Sequence, residues 1–95
     1  MSHIDKFVSA CCTNDVREVE RMIGAGVDVN ARNKSGVQGL VWAMSLNSKE
    51  TVKVLLSCRT IWLDSTYSNN GQTGLHLACV KNHAECVRLF LAHPS

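Results

Sequence analysis

Apolar residues recur along the chain at helical spacing, in short stretches that alternate with turns. Ile4, Phe7, Val8 and Cys11 fall at i, i+3, i+4 and i+7, and therefore share one face of a helix. This spacing predicts a first helix from about residue 3 to residue 12. A polar turn follows, so the helix is short and its apolar face must pack against a partner.

A second apolar stripe after the turn predicts that partner helix, and two glycines, Gly24 and Gly26, end it. The same arrangement of two stripes returns later in the chain. The second-helix stripes are Val16, Val19, Met22 and Ile23 in the first pair, and Val52, Leu55 and Leu56 in the next. The chain is therefore predicted to be a series of helix–turn–helix units.

The units are in register with one another. Three kinds of position recur at separations of 33 and then 35 residues. The Asn position follows the first helix of each unit, where a left-handed backbone favours Gly and then Asn. The sets are Phe7, Leu40 and Leu75; Ala10, Ala43 and Ala78; and Asn14, Asn47 and Asn82. We therefore predict three copies of one unit, with a two-residue insertion before the third.

The segment from Gly71 to Cys79 reads GQTGLHLAC. Thr73 stands where a helix N-cap is expected, because a Thr hydroxyl can accept from a backbone N–H of the first helical turn. This segment resembles the T-P-L-H-x-A signature of the ankyrin repeat, with Gly74 in place of Pro. Residues 26–31, GVDVNA, resemble the G-A-D-V-N-A tail of that repeat, and residues 82–91 resemble its second helix.

The resemblance to ankyrin repeats covers nearly the whole chain and implies an all-α fold. It implies a solenoid of about three helix–turn–helix repeats with β-hairpin fingers, in a single domain over residues 1–95. Repeat 1 is expected over 1–33, repeat 2 over 34–66 and repeat 3 over 67–95. Because no polar cap follows the last helix pair, the array is expected to be truncated at its C-terminus and to belong to a longer parent chain.

The family resemblance implies a non-catalytic scaffold that binds a partner protein through finger tips and the concave face of the first helices. Trp42 stands where the family often has Leu, and is expected to line the same groove. The implied contact positions are Arg32, Lys34, Ser35 and Val37 at the first finger, Asn69, Asn70 and Gln72 at the second, and Trp42, Ser45, Leu46, Val80 and Lys81 on the first helices. The alternative is a structural element that self-associates through an uncovered face of repeat 3.

Repeat 2 departs most from the family pattern. Gln38 is a poorer N-cap than Thr, and Val41 replaces the signature His, so we expect repeat 2 to be the least stable unit. The apolar insertion after its second helix has two interpretations. Either Ile61 or Trp62 packs beneath the helices, or Trp62 is an exposed anchor for a partner. Tyr67 is left open between the same alternatives.

Composition bears on the kind of partner and on the cellular compartment of the protein. The 95 residues have a formal charge of +2, too weak to indicate nucleic acid or an anionic membrane as partner. No apolar run approaches the roughly 20 residues that span a bilayer. Five cysteines without a CxxC pair favour a reducing compartment, cytosol or nucleus.

No motif for catalysis, phosphate binding or structural zinc occurs, so no enzyme activity, metal or cofactor is expected. The histidines do not change this expectation. His76 and His83 occupy positions of the family pattern, where the resemblance implies structural roles.

Overall fold

Three pairs of antiparallel helices make up most of the protein. A computed structural model describes residues 3–63, 66–67 and 72–93. The first helices of the pairs are α1 (His3–Cys12), α3 (Gly39–Ser45) and α5 (Gly74–Val80), and the second helices are α2 (Val16–Gly24), α4 (Lys49–Leu56) and α6 (Ala84–Leu91). The predicted bounds of the first helix are confirmed.

The helices form two layers. Helix α3 packs between α1 and α5, while α4 packs between α2 and α6. The buried core runs between the layers, where Phe7, Val19, Leu40, Val52 and Leu55 are almost or completely inaccessible to solvent. Each helix alone is too short to be stable in water, so this packing is what holds it.

The asparagine at each inter-helix turn has a left-handed backbone. Asn14, Asn47 and Asn82 have φ values of 60°, 60° and 62°. The prediction from their register is therefore confirmed. The amide N–H after each turn bonds back into the preceding helix, as Asp15 N does to Ala10 O at 2.9 Å.

Neighbouring repeats approach closely at the start of the first helices. A Cβ at Gly39 would lie 2.8 Å from the Cys11 sulphur, and one at Gly74 would lie 3.1 Å from the Met44 sulphur and 3.3 Å from Val41 Cα. A larger residue therefore fits only if these neighbouring atoms of the preceding repeat move.

The repeats are also joined by hydrogen bonds that follow one scheme. Asn14 Oδ1 accepts from the backbone N and the hydroxyl of Thr51, at 3.1 and 3.0 Å. One repeat later, Asn47 Oδ1 accepts from the Cys86 thiol at 3.5 Å. Asparagine thus ends one helix and binds the second helix of the next repeat.

A second link starts at the residue after each asparagine. Ser48 Oγ donates to the Cys12 carbonyl oxygen at 3.1 Å. His83 Nδ1 lies 2.9 Å from the Met44 carbonyl oxygen, so the tautomer with a proton on Nδ1 donates there. The structural role expected for His83 is confirmed. In repeat 1, Asp15 instead accepts from the Glu18 backbone N–H and caps its own helix.

Extended segments join the pairs. Arg32 and Gln38 form one antiparallel bridge, with Gly36 at φ 80° in the turn between them. Strands β1 (Thr66–Tyr67) and β2 (Gln72–Thr73) pair antiparallel before α5. Thr73 then caps α5 by accepting from the His76 backbone N–H at 3.2 Å, as predicted.

Candidate partner-binding surface

The first helices leave an apolar strip exposed on repeats 2 and 3. Leu46 is 45% exposed and Val80 is 70% exposed, while Trp42 and Leu77 are half-buried. Trp42 and Leu77 occupy the same position of successive repeats, and their helices pack side by side. These four side chains therefore lie along one side of the helix layer without belonging to the fully buried core.

Lys81 fixes one edge of this strip. Its ammonium donates to the carbonyl oxygen and hydroxyl of Ser45, at 3.2 and 2.7 Å. The carbonyl lies at the end of α3, where the helix dipole favours a cation. The contact joins repeats 2 and 3 beside Leu46 and holds the charge in place.

The first finger is a tight turn built on Asn33. Its side-chain oxygen accepts from the backbone N–H groups of Ser35 and Val37, both at 3.0 Å. Arg32 Nη1 donates to the Gly36 carbonyl oxygen, and Lys34 N donates to an Asp5 carboxylate oxygen. The exposed side chains Arg32, Lys34 and Ser35 therefore project from a backbone that is fixed at several points.

Two residues that were predicted to contact a partner are buried, so the prediction of an exposed position is wrong for both. Val37 is 2% exposed and Ser45 is 5% exposed. The finger's one apolar side chain is buried at its base, since exposure would cost the transfer energy that burial gains. Ser45 is covered because Lys81 closes over it.

The structure distinguishes the two interpretations of the insertion after α4. Ile61 is the buried residue of the insertion, whereas Trp62 is 58% exposed. The backbone of Trp62 is nonetheless fixed, because its N–H donates to Asn30 Oδ1 at 2.8 Å and its carbonyl accepts from Gln38 Nε2 at 3.2 Å. The alternative of an exposed aromatic side chain on a fixed backbone is therefore the one observed.

Gln38 has a role that its sequence position did not reveal. It makes no cap hydrogen bond to α3, as expected of a poor cap, but it is completely buried. Its amide nitrogen also donates to Asn30 Oδ1 at 3.0 Å, and Asn30 Nδ2 donates to the Thr60 carbonyl at 2.7 Å. The two amides thus tie the tail of repeat 1 to the insertion of repeat 2.

Several predicted positions cannot be placed on this surface. Asn69 and Asn70 lie outside the described residues. Gln72 belongs to β2, but its side chain and that of Tyr67 are also outside them. Leu77 was missing from the predicted set, although its register with Trp42 was a signal that could have found it.

Two buried cysteine thiols have raised pKa values. Burial raises the pKa of the Cys11 thiol to about 12, with a smaller effect from the nearby Cys12 and Cys58. Burial also raises the pKa of Cys86, the donor to Asn47. Within residues 3–63, 66–67 and 72–93, no three His, Cys, Asp or Glu residues are grouped closely enough to hold a metal ion. None of the helices described is long and apolar enough to cross a membrane.

Stacked helix pairs with left-handed turns and hairpin connections define a repeat protein of the solenoid class. The sequence profile described as ankyrin repeats (3 copies) matches residues 7–95. The chain belongs to the ankyrin-repeat family. Repeats of this family are protein–protein interaction modules and are in general non-catalytic.

The chain is similar to the repeat-containing parts of much longer proteins. The E3 ubiquitin-protein ligase XBAT33 of Arabidopsis thaliana is 37% identical over 86 residues, which cover 90% of this chain and 16% of the relative. The probable E3 ubiquitin-protein ligase XBOS32 of Oryza sativa subsp. japonica is 34% identical over 74 residues, covering 78% of this chain and 15% of the relative. The human transient receptor potential cation channel subfamily A member 1 is 31% identical over 78 residues, which cover 82% of this chain and 7% of the relative. This chain therefore spans only a small part of each.

Proposed function

We propose that the chain binds a partner protein through the inner surface, defined as Trp42, Leu46, Leu77, Val80 and Lys81 together with the finger residues Arg32, Lys34 and Ser35. The observation that supports this most is the exposure of Leu46 and Val80 on packed helices. Folding leaves these apolar side chains exposed to water. A partner that covers them would therefore gain the free energy of their burial on binding.

The charges beside the strip indicate the chemistry of the partner. Lys34 at the finger and Lys81 at the helix ends are both exposed cations. Complementary carboxylates would steer association and fix orientation, while apolar side chains would supply most of the affinity. The partner segment proposed is therefore an apolar stretch flanked by Asp or Glu.

The relatives support a binding role for the repeats without selecting an activity for the whole protein. Two are named as ubiquitin ligases and one as a cation channel. What these proteins have in common with this chain is the repeat array, which supports partner recognition as the role of the repeats.

A comparative capture experiment tests the inner surface. The native chain and a Leu46→Glu, Val80→Glu variant are used as baits in cell lysate, and bound proteins are quantified by mass spectrometry. We expect at least one specific partner to lose roughly tenfold or more in capture, because each Glu puts a charge into an apolar contact.

Lys53→Glu is the matched control, since it makes the same change in net charge on an exposed position of α4 in the other layer. It should retain the partner that the first variant loses. Equal losses with both variants would show a general charge effect, and equal capture by all three baits would place binding elsewhere.

Self-association is the second candidate function. It is favoured by Leu91 on the outward side of α6, which is 67% exposed. Sedimentation velocity over a range of concentrations tests it, because a monomer at every concentration would exclude assembly through this face.

A further inference from the structure

The tip of the first finger carries a serine that follows two basic residues. Residues 32–35 read Arg-Asn-Lys-Ser, and the side chains of Arg32, Lys34 and Ser35 are exposed. Ser35 is the only serine or threonine of the sequence with an arginine three residues before it. Many serine kinases select such an arginine, because acidic side chains of their substrate groove bind its guanidinium. The finger therefore has the sequence of a substrate for a kinase of this kind.

The hydroxyl of Ser35 is available for reaction. Ser35 contributes its backbone N–H to the turn, which donates to Asn33 Oδ1 at 3.0 Å, while its hydroxyl makes no hydrogen bond within the described part of the chain. Ser48 and Ser57, by contrast, donate their hydroxyls to backbone carbonyl oxygens at 3.1 and 2.6 Å. Modification of Ser35 therefore removes no hydrogen bond among these residues.

A kinase can reach the serine by opening the turn alone. The turn is closed by a hydrogen bond from Gly36 N to the Asn33 carbonyl oxygen at 2.8 Å and by the contacts of the Asn33 side chain. Val37, the buried apolar residue of the finger, lies beyond the arginine-to-serine motif. Opening of residues 33–36 thus exposes no core side chain, and such local openings require little free energy.

We propose that Ser35 is a phosphorylation site of a serine kinase that selects arginine three residues before the acceptor. The kinase transfers the γ-phosphoryl group of ATP to Ser35 Oγ. The new Oγ–P bond forms as the bond from the γ-phosphorus to the bridging oxygen breaks, ADP leaves, and a carboxylate of the kinase takes the hydroxyl proton. The product carries a phosphate with a charge of about −1.5 to −2 at pH 7.

This phosphate lies beside both cations of the finger. Arg32 Nη1 donates to the Gly36 carbonyl oxygen at 2.7 Å, so its guanidinium lies across the turn that carries Ser35. Lys34 is the adjacent residue, and the Asp5 carboxylate that accepts from its backbone N–H repels the phosphate towards Arg32. The phosphate therefore cancels the two positive charges of the finger, and the formal charge of the chain falls from +2 to about zero.

Phosphorylation of Ser35 weakens the binding of a segment flanked by Asp or Glu, a consequence that rests on the proposed function. A finger without net positive charge no longer steers carboxylates towards the inner surface. The apolar side chains of Leu46 and Val80 are unchanged by the modification. The role assigned to Ser35 is therefore to lower affinity for the partner while the fold and the apolar strip stay as they are.

Phosphorylation of the full chain by a purified kinase tests the site without any partner. The chain is incubated with Mg-ATP and a serine kinase selective for arginine at this spacing, and the modified residues are mapped by mass spectrometry. We expect Ser35 to be the main site, and Arg32→Gln to lower its initial rate by about tenfold or more. The matched control Lys53→Gln removes one positive charge from an exposed position of α4 and should leave the rate unchanged.

Two results would overturn the site. One is phosphate on other residues while Ser35 stays unmodified; Ser9 is the informative comparison, because Lys6 lies three residues before it within α1. The other is an equal rate for the native chain and for Arg32→Gln. Loss of the Arg32 hydrogen bond loosens the turn and raises access to Ser35, so a distorted finger cannot produce the expected fall.

Capture from lysate tests the consequence for binding. The baits are the phosphorylated chain, the unmodified chain and kinase-treated Ser35→Ala, compared for a partner that the Leu46→Glu, Val80→Glu variant loses. We expect phosphorylation to lower capture of this partner about fivefold at low salt. The loss should be smaller at about 0.5 M salt, where charges on the surface are screened, and absent for Ser35→Ala.

The outcomes separate this inference from the proposed function. Unchanged capture of that partner by the phosphorylated chain would overturn the regulatory role and leave the inner surface as the binding site. A loss that persists in full at high salt would overturn charge cancellation as its cause. If no partner depends on Leu46 and Val80, the regulatory role fails together with the proposed function, whereas the kinase assay still decides whether Ser35 is the site.

Discussion

At the residue scale, the asparagines at the first two inter-helix turns stabilise both their own turns and the next repeat. The left-handed backbone costs most residues about 1–2 kcal/mol, and Asn tolerates it better. The side chain then provides an acceptor that buried Thr51 needs for its hydroxyl. The two contributions can be separated, because glycine keeps the backbone and removes the side chain.

Asn14→Gly should lower the free energy of unfolding by about 1–3 kcal/mol, since the Thr51 N–H and hydroxyl lose their acceptor while buried. Asn82→Gly should change it by less than about 0.5 kcal/mol, because that side chain bonds to none of the described residues. Urea denaturation of both variants measures this difference. Equal losses in the two variants would mean that the contact of Asn14 with Thr51 does not account for the effect of the substitution.

The sequence predicted the conformation of these residues better than their contacts. Register alone identified three left-handed positions, because only the local backbone decides which residue fits. It did not show that Gln38 would be buried against Asn30, which lies eight residues earlier and reaches it through tertiary packing. Side chains that bond across repeats have no local signature.

At the scale of elements, the start of each later first helix is a point of closest approach between repeats. Gly39 is buried and faces the Cys11 sulphur and the Phe7 ring. The family signature has proline at this position, whereas the Cys11 sulphur lies only 2.8 Å from where even a Cβ would stand. A small residue at the start of α3 therefore lets repeats 1 and 2 approach closely.

Gly39→Ala should destabilise the fold by about 1–3 kcal/mol, because the added Cβ overlaps the Cys11 sulphur. Adding Cys11→Ala should recover at least about 1 kcal/mol, since the sulphur that causes the overlap is gone. A double-mutant cycle by thermal or urea denaturation measures the coupling. Additive losses would show that the contact is not the cause.

The bounds of the first helix could be predicted from the sequence. The stripe from Ile4 to Cys11 gave α1 because the apolar spacing and the turn after it agree. The insertion after α4 was harder, since Ile61 and Trp62 are adjacent and apolar, and only packing decides which is buried. Its described side chains show that the smaller Ile61 takes the enclosed place.

At the scale of the whole molecule, burial is greatest in the middle. Helices α3 and α4 are covered by a repeat on each side, and six of the seven residues of α3 are buried. Helix α6 has one buried residue, Cys86. Solenoid stability is a sum of repeat and interface contributions, so the repeat with two interfaces gains most.

We therefore expect the amides of α3 to exchange hydrogen most slowly and those of α6 fastest. The poor match of repeat 2 to the family pattern predicts the reverse order, with repeat 2 exchanging first. Native-state exchange resolved by residue compares these two predictions. Fastest exchange in α3 would mean that weak local propensity outweighs the two interfaces.

The two ends of the array are chemically different, and the repeats are synthesised in order from the first to the third. Synthesis delivers repeat 1 first, at about 5–20 residues per second. The side of repeat 1 that faces away from repeat 2 has Lys6 exposed and Glu18 paired with Arg21. Repeats 2 and 3 each follow a repeat that can already accommodate their glycine, Gly39 or Gly74. The asparagine of that preceding repeat also accepts from their hydroxyl or thiol donor. Repeats 2 and 3 can therefore pack in the order in which they are synthesised, each against the repeat made before it.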